Sequence, residues 1–302
     1  MHKESWGIWA IGLLLVAGTM AAQTNDSDES DSPEVPLVKK SFEQLSERNV
    51  THTGERALHA KDVTWEHSET EHFIFHTETG FLVPQLAYAA EGFYRSIRND
   101  LGVTEDSYQR KSHIYVFLND VAWRTFASQV HLDEWTGGFC NGRELFLKTR
   151  PHFKFQGTTM PHEMTHLVIH RFMAGDLPLW LNEGFAEFES TRLYRAYLKQ
   201  RQYRMSVLSP PVNKDSYIPL NTLTGAVDYP RTEDEVKAFY NESHRLVIYL
   251  HQQGGGTAAL VQFMKRQSEG RTFESALREV YGEKFDDLEA LEKKFQPFAT
   301  TR

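Results

Sequence analysis

The chain has 302 residues, 40% hydrophobic and 25% charged, which fits an ordinary soluble globular protein. Its formal net charge is −8, of which an acidic N-terminal stretch holds five, so the remainder is nearly neutral and nothing suggests nucleic acid binding. Cys140 is the only cysteine, so no internal disulfide holds the fold together.

At the N-terminus, Lys3 precedes an apolar run from Trp6 to Val16, followed by Ala17, Gly18, Thr19, Met20, Ala21 and Ala22. Residues 1–22 read as a secretory signal cleaved near Ala21 or Ala22, which implies a periplasmic or extracellular protein. The run is short for a membrane span of about 20 apolar residues, so no stable span is expected after cleavage; an uncleaved anchor is the alternative. No cysteine follows it to carry a lipid. Gln23 to Pro36 holds five acidic residues and no basic ones. Such a stretch buries too little to offset its ordering entropy, so residues 23–60 read as an acidic tether and a poorly defined lead-in. Residues 61–302 are then one domain, long enough to bury a real core.

Within that domain, His72 to Thr77 is a β-prone run ending before Gly80. Leu86, Ala90, Phe93 and Ile97 recur at helical spacing between Val83 and Leu101, and Gly102 closes the helix. His113 to Leu118 is a second strand. Asn119-Asp120 ends it and caps a helix from Val121 to Val130. Gly137 to Gly142 is turn-rich and leads into a strand from Glu144 to Lys148.

Next comes His162-Glu163-Met164-Thr165-His166. A helix turns once in about 3.6 residues, so His162 and His166 lie on one face and can aim two imidazoles at one divalent zinc ion. Glu163 is offset by about 100° and reaches the edge of that site, where a general base would act on water. Sixteen residues, Leu167 to Asn182, then separate His166 from Glu183, which lies in Leu179 to Phe188, reading Leu-Trp-Leu-Asn-Glu-Gly-Phe-Ala-Glu-Phe. Gly175 to Pro178 breaks the chain, so a second helix can return and offer Glu183 as a third ligand. Two histidines and one glutamate leave one coordination position for water. Glu187, one turn after Glu183, can accept a hydrogen bond from the outer nitrogen of His162 or His166.

Beyond these helices the chain is irregular at Ser209-Pro210-Pro211 and at Asp228-Tyr229-Pro230, as a loop wall would be. Helices follow over Glu235–Gln253, Thr257–Gln267, Thr272–Tyr281 and Asp286–Phe295. Thr257, Thr272 and Asp286 are the expected N-caps, with Glu289 completing a capping box. The class is α+β: a small N-terminal mixed sheet with an edge strand, two zincin-like active-site helices, and a helical C-terminal half.

His-Glu-x-x-His followed by Leu-Asn-Glu-Gly-Phe-Ala-Glu resembles the gluzincin metallopeptidases, which include the thermolysin and aminopeptidase N types and small secreted bacterial domains. The resemblance implies zinc on His162, His166 and Glu183, Glu163 as general base, and a peptide or protein substrate. In such peptidases an edge strand before the zinc helix binds extended substrate, which points to Gly138 and Phe139 at the start of the Gly138 to Lys148 stretch. Relatives also carry a tyrosine on the helix after the third ligand. That makes Tyr240 the expected oxyanion donor, with His244, one turn on, as the second choice. The aminopeptidases place an amine-binding glutamate in a Gly-Ala-Met-Glu-Asn loop. Here Gly137 to Asn141 has Cys140 at that position, which favours cutting within a chain, although Glu134 or Glu144 could replace the acid. Aminopeptidase action and zinc binding without catalysis are the alternatives.

The metzincin pattern fails, because Ile169 and Phe172 stand where it needs Gly and His. His170 lies about 12 Å from His162 along the axis and cannot share the ion.

Overall fold

The structure is a computed structural model that describes residues 35–103, 110–133, 136–149, 158–197 and 210–301. The signal, the acidic stretch to Glu34, Glu134 and Ser209 lie outside the described residues. Two compact units divide the chain: residues 1–92 with 109–160, and residues 93–108 with 161–302. The division falls inside one helix, Val83–Asp100, and near the start of another, Thr159–Phe172.

The first unit is built on a six-stranded mixed sheet. Its strands are β1 (Val38–Lys40), β2 (Glu66–Glu69), β3 (Phe73–Thr77), β4 (Ser112–Phe117), β5 (Gly138–Cys140) and β6 (Glu144–Lys148). They lie in the order β1-β2-β3-β4-β6-β5. The pairs β3/β4 and β4/β6 are parallel, and the rest are antiparallel. A parallel pair needs a crossover, and α2 (Val83–Asp100) supplies the one between β3 and β4. The expected strands and α2 are present. So is α3 (Asp120–Gln129), whose N-cap Asn119 accepts from the Val121 and Ala122 amides. The sheet begins earlier than the sequence reading placed the domain. Strand β1 and α1 (His52–Leu58) lie in the stretch taken as a lead-in. Neither carries an amphipathic signal long enough to read, and pairing with β2 forms the first.

One face of this sheet is a ladder of rings. Register sets His67 opposite His76, His76 opposite Tyr115, Tyr115 opposite Phe146, and Phe146 opposite Phe139. The His76–Tyr115, Tyr115–Phe146 and Phe139–Phe146 rings stack nearly parallel at 4.4, 4.8 and 4.5 Å. Phe126, Trp123, Phe117 and Ala57 complete this core. At one end three imidazoles form a row. His67 Nδ1 lies 2.8 Å from His76 Nδ1, and His76 Nε2 lies 2.8 Å from His113 Nδ1. Burial lowers all three pKa values, with His76 well below the ordinary range and His113 near 4.

Glu144 is also committed in this unit. It is buried and accepts from the Thr51 amide at 2.8 Å, the Thr51 hydroxyl and Asn141 Nδ2 at 2.9 Å. It thereby fastens the capped start of α1 to β6.

The second unit is helical. It holds α4 (Thr159–Phe172) from residue 161 on, α5 (Leu179–Tyr197), α6 (Leu220–Thr224), α7 (Glu233–Gln252), α8 (Gly256–Ser268), α9 (Phe273–Tyr281) and α10 (Leu288–Thr300). Trp180 of α5 is fully buried against Phe263 of α8 and Phe273 of α9. Thr232 caps α7 through a capping box with Glu235. Thr272 caps α9 as expected. Two other expected caps shift. Helix α8 has Gly255 at its N-cap, where a φ of +74° suits a residue without a side chain, and Thr257 falls inside its first turn. Helix α10 is capped by Asp287, not Asp286, and Asp287 accepts from the Ala290 amide. Among the described residues no helix is long and apolar enough to cross a membrane.

Candidate metal centre

The site lies in the second unit, on α4, α5, α7 and the loop before α7. Helix α4 tolerates Pro161 because the proline falls in its first turn, where no intrahelical donor is lost. The four-residue spacing then sets His162 and His166 on one side, with Nε2 atoms 3.1 Å apart. Residues Met173 to Pro178 break the helix, and the Pro178 carbonyl takes the first amides of α5, those of Leu181 and Asn182. One turn into α5, Glu183 Oε2 reaches 3.3 Å from His162 Nε2 and 3.5 Å from His166 Nε2.

Four ligands at the usual zinc bond lengths of 2.0–2.1 Å stand about 3.3 Å from one another at the corners of a tetrahedron. The three observed separations fit that spacing. Glu183 Oε2 is buried and has no hydrogen-bond partner, although it faces two imidazoles. Glu163, Glu183 and Glu187 are all buried at this place, so three carboxylates gather where water cannot screen them. A cation satisfies both the orphaned oxygen and the excess of negative charge. Among the described residues, this is the group of three metal-ligating side chains that converges.

The outer nitrogens are allotted to different partners. His162 Nδ1 lies 3.1 Å from Glu187 Oε1, and His166 Nδ1 donates to Asn182 Oδ1 at 3.2 Å. With Nε2 facing a ligand point, Nδ1 is the nitrogen left to carry the ring proton, and it faces Glu187 in His162 and Asn182 in His166. Glu187 therefore serves His162. Asn182, which the sequence reading passed over, serves His166.

Electrostatics follow the same geometry. Burial opposes the charged form of His162, yet Glu183 and Glu187 beside it push its pKa well above the ordinary range. Burial likewise opposes ionised Glu183, but His166 and His162 hold its carboxyl far below the usual range. Burial raises Glu163 to about 7 against the pull of His162 and His166.

Two tyrosines face this cluster. The Tyr240 ring stacks on His162 at 6.2 Å and on Tyr229 at 6.2 Å. The Tyr229 hydroxyl donates to Glu183 Oε1. Burial and the neighbouring Glu183 raise both phenols well above their ordinary pKa, so both remain neutral donors. Tyr240, the expected donor, lies on α7 with its ring against His162. Tyr229 had been read only as part of an irregular wall. Its one sequence signal is the following Pro230, which biases it to extended backbone.

His244 is buried and Nε2 lacks a partner; its strongest charged neighbour is Glu187, and burial lowers its pKa to about 4. The charged groups around it are Glu187, Arg245 and His162. His170 is exposed and outside the ligand set. Gly138 and Phe139 are in the first unit: they open β5, at the edge of the sheet, and the Phe139 ring is buried in the ladder. Cys140 is buried, and its sulfur accepts from the Gly142 amide.

No curated protein shows significant sequence similarity to this chain. Among solved structures, native leukotriene A4 hydrolase from Saccharomyces cerevisiae is similar with a TM-score of 0.47 and 16% identity, over 78% of this chain and 40% of that one. Yeast LTA4 hydrolase in complex with bestatin gives a TM-score of 0.44 and 18% identity, over 73% and 36%. The chain therefore spans less than half the length of these two structures. The family model of the Peptidase MA superfamily matches residues 97–301, which include both active-site helices and α7, and the chain belongs to that superfamily.

Proposed function

We propose that the protein is a zinc-dependent peptidase of the gluzincin type that cuts within peptide chains. The observation that carries the reading is the convergence of His162 Nε2, His166 Nε2 and Glu183 Oε2 at tetrahedral spacing, with Glu163 beside them. Zinc held there would supply Lewis acidity and make a water acidic near neutral pH. The chain's own residues do the rest. Glu163 takes the proton of the attacking water and passes it to the leaving amine. Tyr240 donates its hydroxyl to the carbonyl oxygen as that oxygen becomes negative. Glu187 and Asn182 fix the two imidazoles in the tautomer that presents Nε2. His244, one turn further along α7, is the second choice for the oxyanion donor.

Internal cleavage is favoured by two observations among the described residues. Cys140 stands where the resemblance expects that acid, and Glu144 is fully engaged with Thr51 and Asn141. Gly138 opens β5 at a sheet edge, the kind of edge with which an extended peptide can pair. The signal-like stretch from Trp6 to Ala22 supports action outside the cytoplasm.

The test is a metal assay with an unbiased peptide-library digest, run beside Glu163→Gln. Glutamine keeps size and polarity but cannot accept the proton, so turnover should drop by roughly 10²–10⁴-fold while zinc stays bound. Equal cleavage by both proteins would remove Glu163 from the reaction.

A further inference from the structure

We infer that Tyr229 is a positioning residue: its hydroxyl ties off one oxygen of Glu183, so that Glu183 presents only Oε2 to the metal. This rests on the zinc reading above and adds a role for a residue outside the ligand set.

A carboxylate has two equivalent oxygens, and either or both can bind a cation. The surroundings of Glu183 make them inequivalent. Oε2 faces the two Nε2 atoms and has no hydrogen-bond partner. Oε1 accepts the phenol of Tyr229. Glu183 is 1% exposed, so bulk water cannot take over that bond.

Tyr229 is itself held in place. Its ring stacks on Tyr240 with the planes 15° apart and meets the edge of Phe239, both on α7. Pro230 restrains the backbone that carries it. Both contacts are with side chains about two turns into α7, on the segment that presents Tyr240. The hydroxyl is therefore aimed by packing rather than by chance rotation.

The consequence concerns coordination number. With Oε1 engaged, two imidazoles and one oxygen make three protein ligands and leave a position for the reacting water. Without the Tyr229 phenol, Oε1 would lose the donor that now ties it off, Tyr240 would be the phenol left beside Glu183, and the pull of the metal on Oε1 would grow. Glu183 would then bind through both oxygens beside the reacting water, raising the coordination from four to five and crowding the position that the reaction needs.

The experiment replaces zinc by cobalt(II), whose visible absorption is strong when four-coordinate and weaker when five-coordinate, in wild type and Tyr229→Phe. Phenylalanine keeps the ring and its stacking. The expected result is a weaker, five-coordinate spectrum in Tyr229→Phe, about tenfold or greater loss of zinc affinity, and a fall in kcat with KM little changed. An unchanged cobalt spectrum together with zinc affinity within twofold of wild type overturns the inference. If kcat falls while spectrum and affinity stay fixed, Tyr229 acts on substrate and the inference is equally overturned. Wild type that takes up neither zinc nor cobalt sinks the metal reading itself, and that outcome is distinct because it shows before any substitution.

Discussion

Gly184 sets how closely α5 and α7 approach, and Gly184→Ala tests whether that approach matters to the chemistry. A Cβ built at Gly184 would stand 2.5 Å from the Ser243 carbonyl oxygen, 2.8 Å from the Ser243 carbonyl carbon and 2.9 Å from Val247 Cγ2. The first two atoms are backbone, so no rotamer change relieves them. Ordinary contact would need the helices to part by about 1 Å. Alanine gains about 1 kcal/mol in helix propensity over glycine. Overpacking of this kind costs about 1–3 kcal/mol, and the backbone clash places it toward the upper end. The net loss is then about 1–2 kcal/mol, which lowers Tm by about 2–8 °C for a unit of this size. The functional effect should be larger. Glu183 precedes Gly184, and Tyr240 lies one turn before Ser243, so the same separation moves a ligand away from its proposed oxyanion donor. A misplacement of about 1 Å costs roughly 10²-fold in turnover. Thermal unfolding, zinc content and kcat of Gly184→Ala should be measured together. A variant with wild-type Tm and kcat would refute the argument that this glycine is required by the close crossing.

Other outcomes follow from the same structure. His166→Ala should lose zinc, because it removes one of three ligands, and its Tm should no longer respond to a chelator; full zinc occupancy would disprove the ligand set. Acid should weaken the first unit through the row His67, His76 and His113. Their folded pKa values lie below the ordinary 6.5, so the folded state binds fewer protons than the unfolded state. Their contribution is whole above about pH 6.5 and is lost as pH falls toward 4. His113 alone is lowered to about 4, which corresponds to about 3 kcal/mol at most. Denaturant melts of wild type and His113→Phe between pH 7 and 4.5 should converge at the acid end, and parallel curves would contradict this. Peptides acetylated at the N-terminus should be cut nearly as fast as free ones. Strict need for a free amine would reverse the choice of internal cleavage and direct attention to Glu134.

Local rules made part of this protein legible. The spacing of His162 and His166 fixes a shared face because helix geometry repeats within a few residues. Asn119 and Thr272 cap helices because a side-chain oxygen meets an amide two or three positions away. The apolar periods of α2 and α7 and the β-prone runs of β3, β4 and β6 likewise need no distant partner. Glu183 was reachable because a helix break of known kind, followed by a Glu one turn into a new helix, allows few placements.

Tertiary structure decided what depends on distant chain segments. Tyr229 meets Glu183 across 46 residues, and only the packing of the loop against α7 aims its hydroxyl there. Glu187 and Asn182 were both near the ligands in sequence, but the crossing of α4 and α5 assigned one to His162 and the other to His166. Strand β1 is three residues long and exists through its pairing with β2. Glu144 was open to a role with substrate until α1 folded onto it, 93 residues away along the chain. Helix propensity, capping and periodicity act within about one turn and are written in adjacent residues. Which buried carboxylate meets which donor depends on how whole elements pack, and that is settled by burial summed over many side chains.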